Sequence, residues 1–535
     1  MRTLFIIVLT FFVSGNFIAA QEYNVNWGPV YKRDSGNRSG YKLISVEQDG
    51  YYVLTYSNQG NMISKFDLNH NFISEVPLSF SRVKYTILLQ DVIKTSAGTF
   101  LYMHYLDEQK KVWSLLVSEF QSGRFSDPHV VYSQKIDIKF SRLKQSFDAY
   151  QYGFGDELIL SEDSTRVGFV NIIPGQDYKE NEEIAVAVFD ERMNLLWQTL
   201  HSFKFSRKDN AITQKEVSSF GELFLVGWIH KKRKGSKSGA RSQAYLPQFE
   251  YILYEFRKDE IIEDVVNLGE NVAPLDVALF FPDPSKREFL LSGFYTDDDH
   301  KTRQKGLFFA NGHPESGILA SRMTEFKPRF LKDLVSDRAI TKGKGLDLSF
   351  DINELLRFEN GNLGFIAEKN YVNYTDNFNN SYYGSYGSIY SPYYGVYNNA
   401  NRQRTPVYHT DDIVIPVFSP EGEIISIQKI EKEFNSYSTS STSYTMALTG
   451  GKTFLVFNDK KSKAERKRDD LKGSRFTDLV VIDNTGMIEY RETIFTNKDT
   501  DLDFVTSMSG SGYNHMLIGS ESSRRFSFGL LQLQQ

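Results

Sequence analysis

Asp297, Asp298, Asp299 and His300 stand in one run, and Asp499, Asp501 and Asp503 alternate along another. Carboxylate oxygens at such spacing are what a hard divalent cation requires. A calcium loop of the DxDxDG kind turns sharply on a glycine after its third aspartate, and Phe504 stands there instead. Both clusters therefore read as turns, and no metal or cofactor is expected. Nucleophile motifs fail in the same way: the chain has no GxSxG and no HExxH, and "GGKTF" at Gly450 to Phe454 has Met446 where a phosphate loop needs glycine. "SEDSTRVGF", Ser161 to Phe169, shares only its opening residues with the Asp-box of sialidases. The nine histidines are scattered singly, so no catalytic residue is nominated.

Residues suited to binding are more conspicuous. Ten tyrosines lie between Tyr371 and Tyr408, most of them in "NNSYYGSYGSIYSPYYGVYNN". Tyrosine supplies rigid amphipathic contact area, and asparagine, glycine and serine supply adaptability, an alphabet shared with antibody paratopes. Tyr374, Tyr382, Tyr383, Tyr386, Tyr390, Tyr393, Tyr394 and Tyr397 are the candidate contact residues. Two basic runs join them, Lys231, Lys232, Arg233 and Lys234 in one, and Arg466, Lys467 and Arg468 in the other. Such runs suit an anionic glycan, a headgroup or an acidic partner. The alternatives are a low-complexity insertion for the first feature and solvated charge for the second.

Positioning these residues falls to a chain that is almost wholly β in pattern. Helical periodicity is nearly absent, whereas short apolar or alternating runs bounded by turn residues recur throughout. One hairpin unit returns with its turn near Asn71, Gly123, Asn194, Asp259, Gly312, Gly422 and Gly486, at intervals of 52, 71, 65, 53, 110 and 64 residues. Two further strand-like runs precede each hairpin, as "YKLISVE" and "YYVLTYS" precede the first, so each unit is a four-stranded antiparallel meander. Meanders repeated at this period predict a β-propeller. After the seventh hairpin come three more strands, "LDFVTSM", "YNHMLIG" and "FSFGLLQL", and the N-terminal "YNVNWGPVYK" belongs to no unit. The expected fold is therefore one all-β propeller of eight blades, closed by the N-terminal strand. Seven blades and a pair of separate β domains are the alternatives.

In such meanders the connection from the second strand to the third shares a rim with every crossing between blades. Those connections are the long ones here, including the insertion at 371–410, whereas the turns inside the hairpins are short. Elaborated loops on a rigid scaffold are the usual place for binding.

Residues 1–20, with an apolar block from Leu4 to Val13 and Ala19 and Ala20 before Gln21, read as a signal peptide preceding a propeller at 21–535, with an uncleaved anchor as the alternative. No later stretch is long and apolar enough for a membrane-spanning helix. With no cysteine, neither a disulfide nor a Cys-ligated metal is possible, and export without disulfides suggests a bacterial envelope or secreted protein. The near balance of 62 basic and 67 acidic side chains provides no global field favouring nucleic acid. Aromatic residues at 14% suit strands and contact surfaces.

"DDIVIPVFSPEGEIISIQKIEK" followed by "SYTMALTGGKTFLVFND" resembles uncharacterised exported propeller-like proteins of bacterial envelopes, in which the Pro-Glu-Gly turn and a later Phe-Asn-Asp recur in this order. The resemblance is closest over Asp411 to Asp483 and implies a fold and a compartment, periplasmic, associated with the outer membrane or secreted. The expected function is a non-enzymatic binding or assembly module contacting an envelope protein or glycan. The alternative is a carbohydrate-active hydrolase or lyase with carboxylates converging at the mouth of the central channel.

Overall fold

The computed structural model describes residues 23–533, apart from 24, 33–39, 57–60, 79–86, 108, 136–156, 174–180, 207–209, 231–248, 271, 298–302, 333, 336–340, 342–344, 348–349, 377–403, 437–441, 461–474, 497–501, 506–508, 513–514 and 523–524. Within these residues the strands group into eight antiparallel meanders, and the only α-helix described is the single turn Pro328–Leu331. Their strands are called A to D in chain order. Blade 1, for example, runs Gly40–Glu47, Gly50–Tyr56, Asn61–Asp67 and Phe72–Leu78. The A strands of neighbouring blades touch, 3 to 4, 4 to 5, 5 to 6, 7 to 8 and 8 to 1, so they line the axis. The D strands form the circumference, and Phe72, Ile73, Val130, Leu195, Leu200, Leu319 and Ile425 are exposed along it.

Blade 8 takes its outer strand from the N-terminus, as the sequence predicts. Val25–Trp27 pairs antiparallel with Arg525–Gln532, Val25 facing Leu531 and Trp27 facing Gly529, and Tyr31–Lys32 continues the pairing at Phe526 and Arg525. Closure also shows in the packing. A meander cannot bury its own two faces, so each blade packs against both neighbours. Eight buried apolar clusters result, each holding side chains from two adjacent blades: one joins Tyr51, Val53 and Phe66 of blade 1 to Leu517 and Phe528 of blade 8, another joins Phe454 and Leu479 of blade 7 to Met516 and Leu531. An open ring would have seven such seams.

The turns between strands C and D explain themselves from sequence. Asp67 accepts the backbone N–H groups of Asn69 and Asn71, Asp190 those of Arg192 and Asn194, and Asp483 those of Thr485 and Met487, all at 2.8 to 2.9 Å. These are Asx turns, in which an aspartate side chain replaces a backbone partner. In blades 1, 3, 6 and 7 the fourth residue of the turn adopts a left-handed conformation and faces the preceding blade. It is Gly422 (φ +85°) in blade 6, where an added Cβ would lie 2.8 Å from Phe309 of blade 5, and Gly486 (φ +89°) in blade 7. In blades 1 and 3 it is His70 and Met193, whose side chains fill the space instead.

The rim bearing the A to B and C to D turns is tied from blade to blade. Thr95 Oγ1 donates to Glu191 O at 2.7 Å, Trp197 Nε1 to Gly221 O at 3.0 Å, Thr324 Oγ1 to Gly422 O at 3.1 Å, and Asn484 Nδ2 to Glu359 at 3.0 Å. The opposite rim carries the longer connections. There Arg303 and Gln304 of blade 5's B to C connection pair with Asp347 and Leu346 of the crossing to blade 6, which places the two long segments on one rim.

Candidate functional site

On the long rim, blade 6 departs from the expected strand ends. Its B strand runs Leu363–Asp376 and its C strand Arg404–Phe418, paired as far as Asp376 opposite Arg404. Within the segment expected as an insertion over 371–410, residues 371–376 and 404–410 form a two-stranded ribbon that outruns the blade, because alternating Tyr, Val, Asn and Thr in "YVNYTD" suits a strand, and residues 377–403 lie outside the described residues. Tyr374 lies in this ribbon opposite Pro406. The base is stiffened by the rings of Tyr371 and His409, stacked 4.6 Å apart and 6° from parallel, by Asn373 Nδ2 at 3.2 Å from His409 Nε2, and by Phe434–Ser436, which pairs along Tyr408–Thr410. Burial holds the His409 imidazole below its usual pKa, so the stack is neutral at pH 7. Tyr382, Tyr383, Tyr386, Tyr390, Tyr393, Tyr394, Tyr397, Lys231, Lys232, Arg233, Lys234, Arg466, Lys467 and Arg468 lie outside the described residues.

Beneath the ribbon, polar groups knit blade 6 to blade 7. Lys432 and Glu368 form an ion pair with no solvent exposure on either side chain. Arg491 bridges Asp459 at 2.9 Å and Asp478 at 2.8 Å and donates to Glu431 O at 2.7 Å. Asn370 and Thr410, opposite each other in the register, are buried with side-chain polar atoms that find no partner among the described residues.

The channel holds a second group that sequence reasoning missed. Five A strands carry a β-bulge, placing Ser45, Asp91, Gln214, Asp276 and Glu354 at equivalent positions. A bulge re-aims the side chain that follows it, and the innermost strand has one edge with no ladder partner, so a polar group there can satisfy the next blade. Gln214 Oε1 accepts Leu279 N of blade 5 at 2.6 Å, and Asp276 accepts Ile352 N of blade 6 at 2.8 Å. Burial pushes Asp276 up to about 6 against those hydrogen bonds. Glu354 occupies the same position, is exposed to the channel and takes no backbone partner among the described residues. Desolvation by the surrounding ring raises its carboxyl.

Glu216, two residues beyond Gln214 and 3.2 Å from its Nε2, is pushed up to about 8, chiefly by burial and further by the charges of Glu354 and Glu162. Near this end of the channel Arg357 of blade 6 reaches Glu162 of blade 3 at 2.9 Å and Phe281 O of blade 5 at 2.5 Å. Glu162 is nevertheless raised, desolvation outweighing the guanidinium. Glu354 of blade 6 and Glu162 of blade 3 thus both come within electrostatic reach of Glu216 of blade 4. Of the three, Glu216 is the one whose carboxyl is pushed up to about 8, which favours its protonated, hydrogen-donating form. The signal was present in the sequence: "LISV", "LQDV", "ITQK", "PLDV" and "INEL" each put a polar residue at the same place in an otherwise strand-like run.

Of the two acidic runs, Asp297 and Asp503 lie within the described residues. Asp297 ends a strand with its carboxylate 2.5 Å from Lys305 Nζ, Asp503 lies in a short strand pairing with Glu521, and Asp298, Asp299, His300, Asp499 and Asp501 lie outside the described residues. No group of three metal-ligating side chains forms among the described residues. No described helix is long and apolar enough to cross a membrane.

The architecture defines a β-propeller. No protein-family profile matches the sequence, and no curated protein does. Solved structures similar to it include the Dos1 propeller (9% identity, TM-score 0.38, 94% of this chain and 95% of that one) and the WD40 domain of SCAP from fission yeast (6%, 0.37, 96% and 98%). An oligogalacturonate lyase in complex with manganese is a third (8%, 0.34, 96% and 99%).

Proposed function

We propose that this chain is a non-enzymatic binding or assembly module of the bacterial cell envelope, exported by its N-terminal segment, that holds a protein or glycan on the rim of long connections. The observation that carries this reading is the blade 6 ribbon, whose strands continue past the blade to Asp376 and Arg404, the two ends of the tyrosine-rich segment 377–403, above a stacked, half-buried base. Long connections on a rigid disc are the usual place for adaptable contact. Affinity capture from envelope extract, with the intact chain and with a variant joining Asp376 to Arg404 through Asn-Gly, tests it. The expected result is loss of the captured partner in the shortened variant at an unchanged melting temperature; identical partner sets would contradict the reading.

The channel carboxylates favour a second reading, a carbohydrate-active hydrolase or lyase working at the channel mouth. Glu216 would be the proton donor and Glu354 or Glu162 the partner carboxylate, since environments that separate paired carboxyl groups are how acid and base roles are assigned. Its test is hydrolysis or elimination on a panel of envelope and plant polysaccharides, lost in Glu216→Gln and in Glu354→Gln.

A further inference from the structure

The left-handed fourth residue of the C to D turn points at the preceding blade. In blade 3 an apolar wedge, Met193, fills that space, and in blades 6 and 7 glycine leaves it to the neighbour. Blade 1 places an imidazole there, against the one seam that closes the ring. His70 is 1% exposed, with Nε2 at 2.7 Å from Asn26 O of the N-terminal strand and Nδ1 at 2.8 Å from the Tyr51 hydroxyl. Tyr31, in the same N-terminal segment, donates to His70 O at 3.3 Å. The chain passes over the ring at Gly28, where an added Cβ would stand 2.6 Å from His70 Cβ.

These partners define the tautomer. A carbonyl only accepts, so Nε2 carries the proton, and Nδ1 accepts from Tyr51. A second proton on Nδ1 makes both nitrogens donors, so the Tyr51 hydroxyl has to turn its hydrogen away from the imidazole and accept instead. The titratable groups facing the ring are Tyr51, Tyr31 and Asp67. The Asp67 carboxylate favours the imidazolium but is engaged by Asn69 and Asn71, and burial prevails, holding the imidazole below 6.5.

We propose that His70 is an acid-sensitive clasp, whose protonation loosens the N-terminal strand and opens the ring between blades 8 and 1. The sign follows from linkage. The released imidazole has an ordinary affinity for protons and the clasped one a lower affinity, so closure is complete above about pH 6.5 and weakens as pH falls, by at most about tenfold per unit for one proton. His104, packed against Trp113 and held down to about 3, stays neutral through this range.

Hydrogen exchange of residues 25–32 and 525–532 at pH 7.5 and 5.5, corrected for the intrinsic rate, reads the opening directly. Wild type is expected to open more at pH 5.5, by up to about tenfold for one proton. His70→Met, which copies the wedge blade 3 already uses, is expected to show no such rise. A cross-linked variant, Val25→Cys with Leu531→Cys in a chain that has no other cysteine, is expected to stay protected at both pH values. Unchanged protection of wild type at pH 5.5, or the same rise in His70→Met, overturns the clasp.

Discussion

The Thr410 hydroxyl is buried without a partner among the described residues, facing Asn370 in the same state. A buried donor left unmade costs about 1 to 3 kcal/mol, and valine has the same shape and strand preference. Thr410→Val should therefore raise the midpoint of chemical unfolding, by about 1 to 2 kcal/mol of stability. Glu216 makes a prediction in pH. Its folded carboxyl is pushed up to about 8 from an ordinary 4.5, so its contribution is fully present below pH 4.5 and lost as pH rises through 8. Glu216→Gln, a permanently neutral isostere, should be more stable than wild type at pH 8 and show a shallower decline from pH 5 to 8; parallel unfolding curves would sink the assignment. At this scale the sequence was least legible. Glu354 and Glu216 share no motif, and only the bulges of separate A strands bring them to one channel.

Among elements, the seam between blades 6 and 7 rests on Lys432 and Glu368, neither of which sees solvent. Removing one charge leaves the other buried and uncompensated, a loss of about 3 to 5 kcal/mol, whereas replacing both by apolar groups of similar volume is often neutral. Lys432→Met should lower the melting temperature sharply, and Lys432→Met with Glu368→Leu should recover most of it. A double variant as unstable as the single one would show that the charges serve something beyond each other. Elements were the most legible level. Asp67, Asp190 and Asp483 announce their turns because a carboxylate that caps the N–H groups two and four residues on needs no help from the rest of the fold. The ribbon was not legible. Whether "YVNYTD" pairs depends on a partner strand beyond 377–403, and no local pattern reports that.

As a whole molecule, the chain is a ring whose eight seams each need two blades, and whose last seams need the N-terminal strand. The count of eight followed from the three strands left after the seventh hairpin and the one unassigned strand at the start, a reckoning of edges rather than of any single residue. The same reckoning separated the rims, because alternation in a meander sends every B to C connection to one side. The disc is thus a scaffold with one tied face and one elaborated face, and the proposed function assigns contact to the second. Site-specific photo-crosslinking tests that assignment most directly, with the probe at Tyr390, in the segment that joins the two ribbon strands, and, in a separate variant, at Gly361 in a turn of the tied rim. Binding at the elaborated rim predicts that partner is captured from Tyr390 and not from Gly361; capture from Gly361 alone would contradict it.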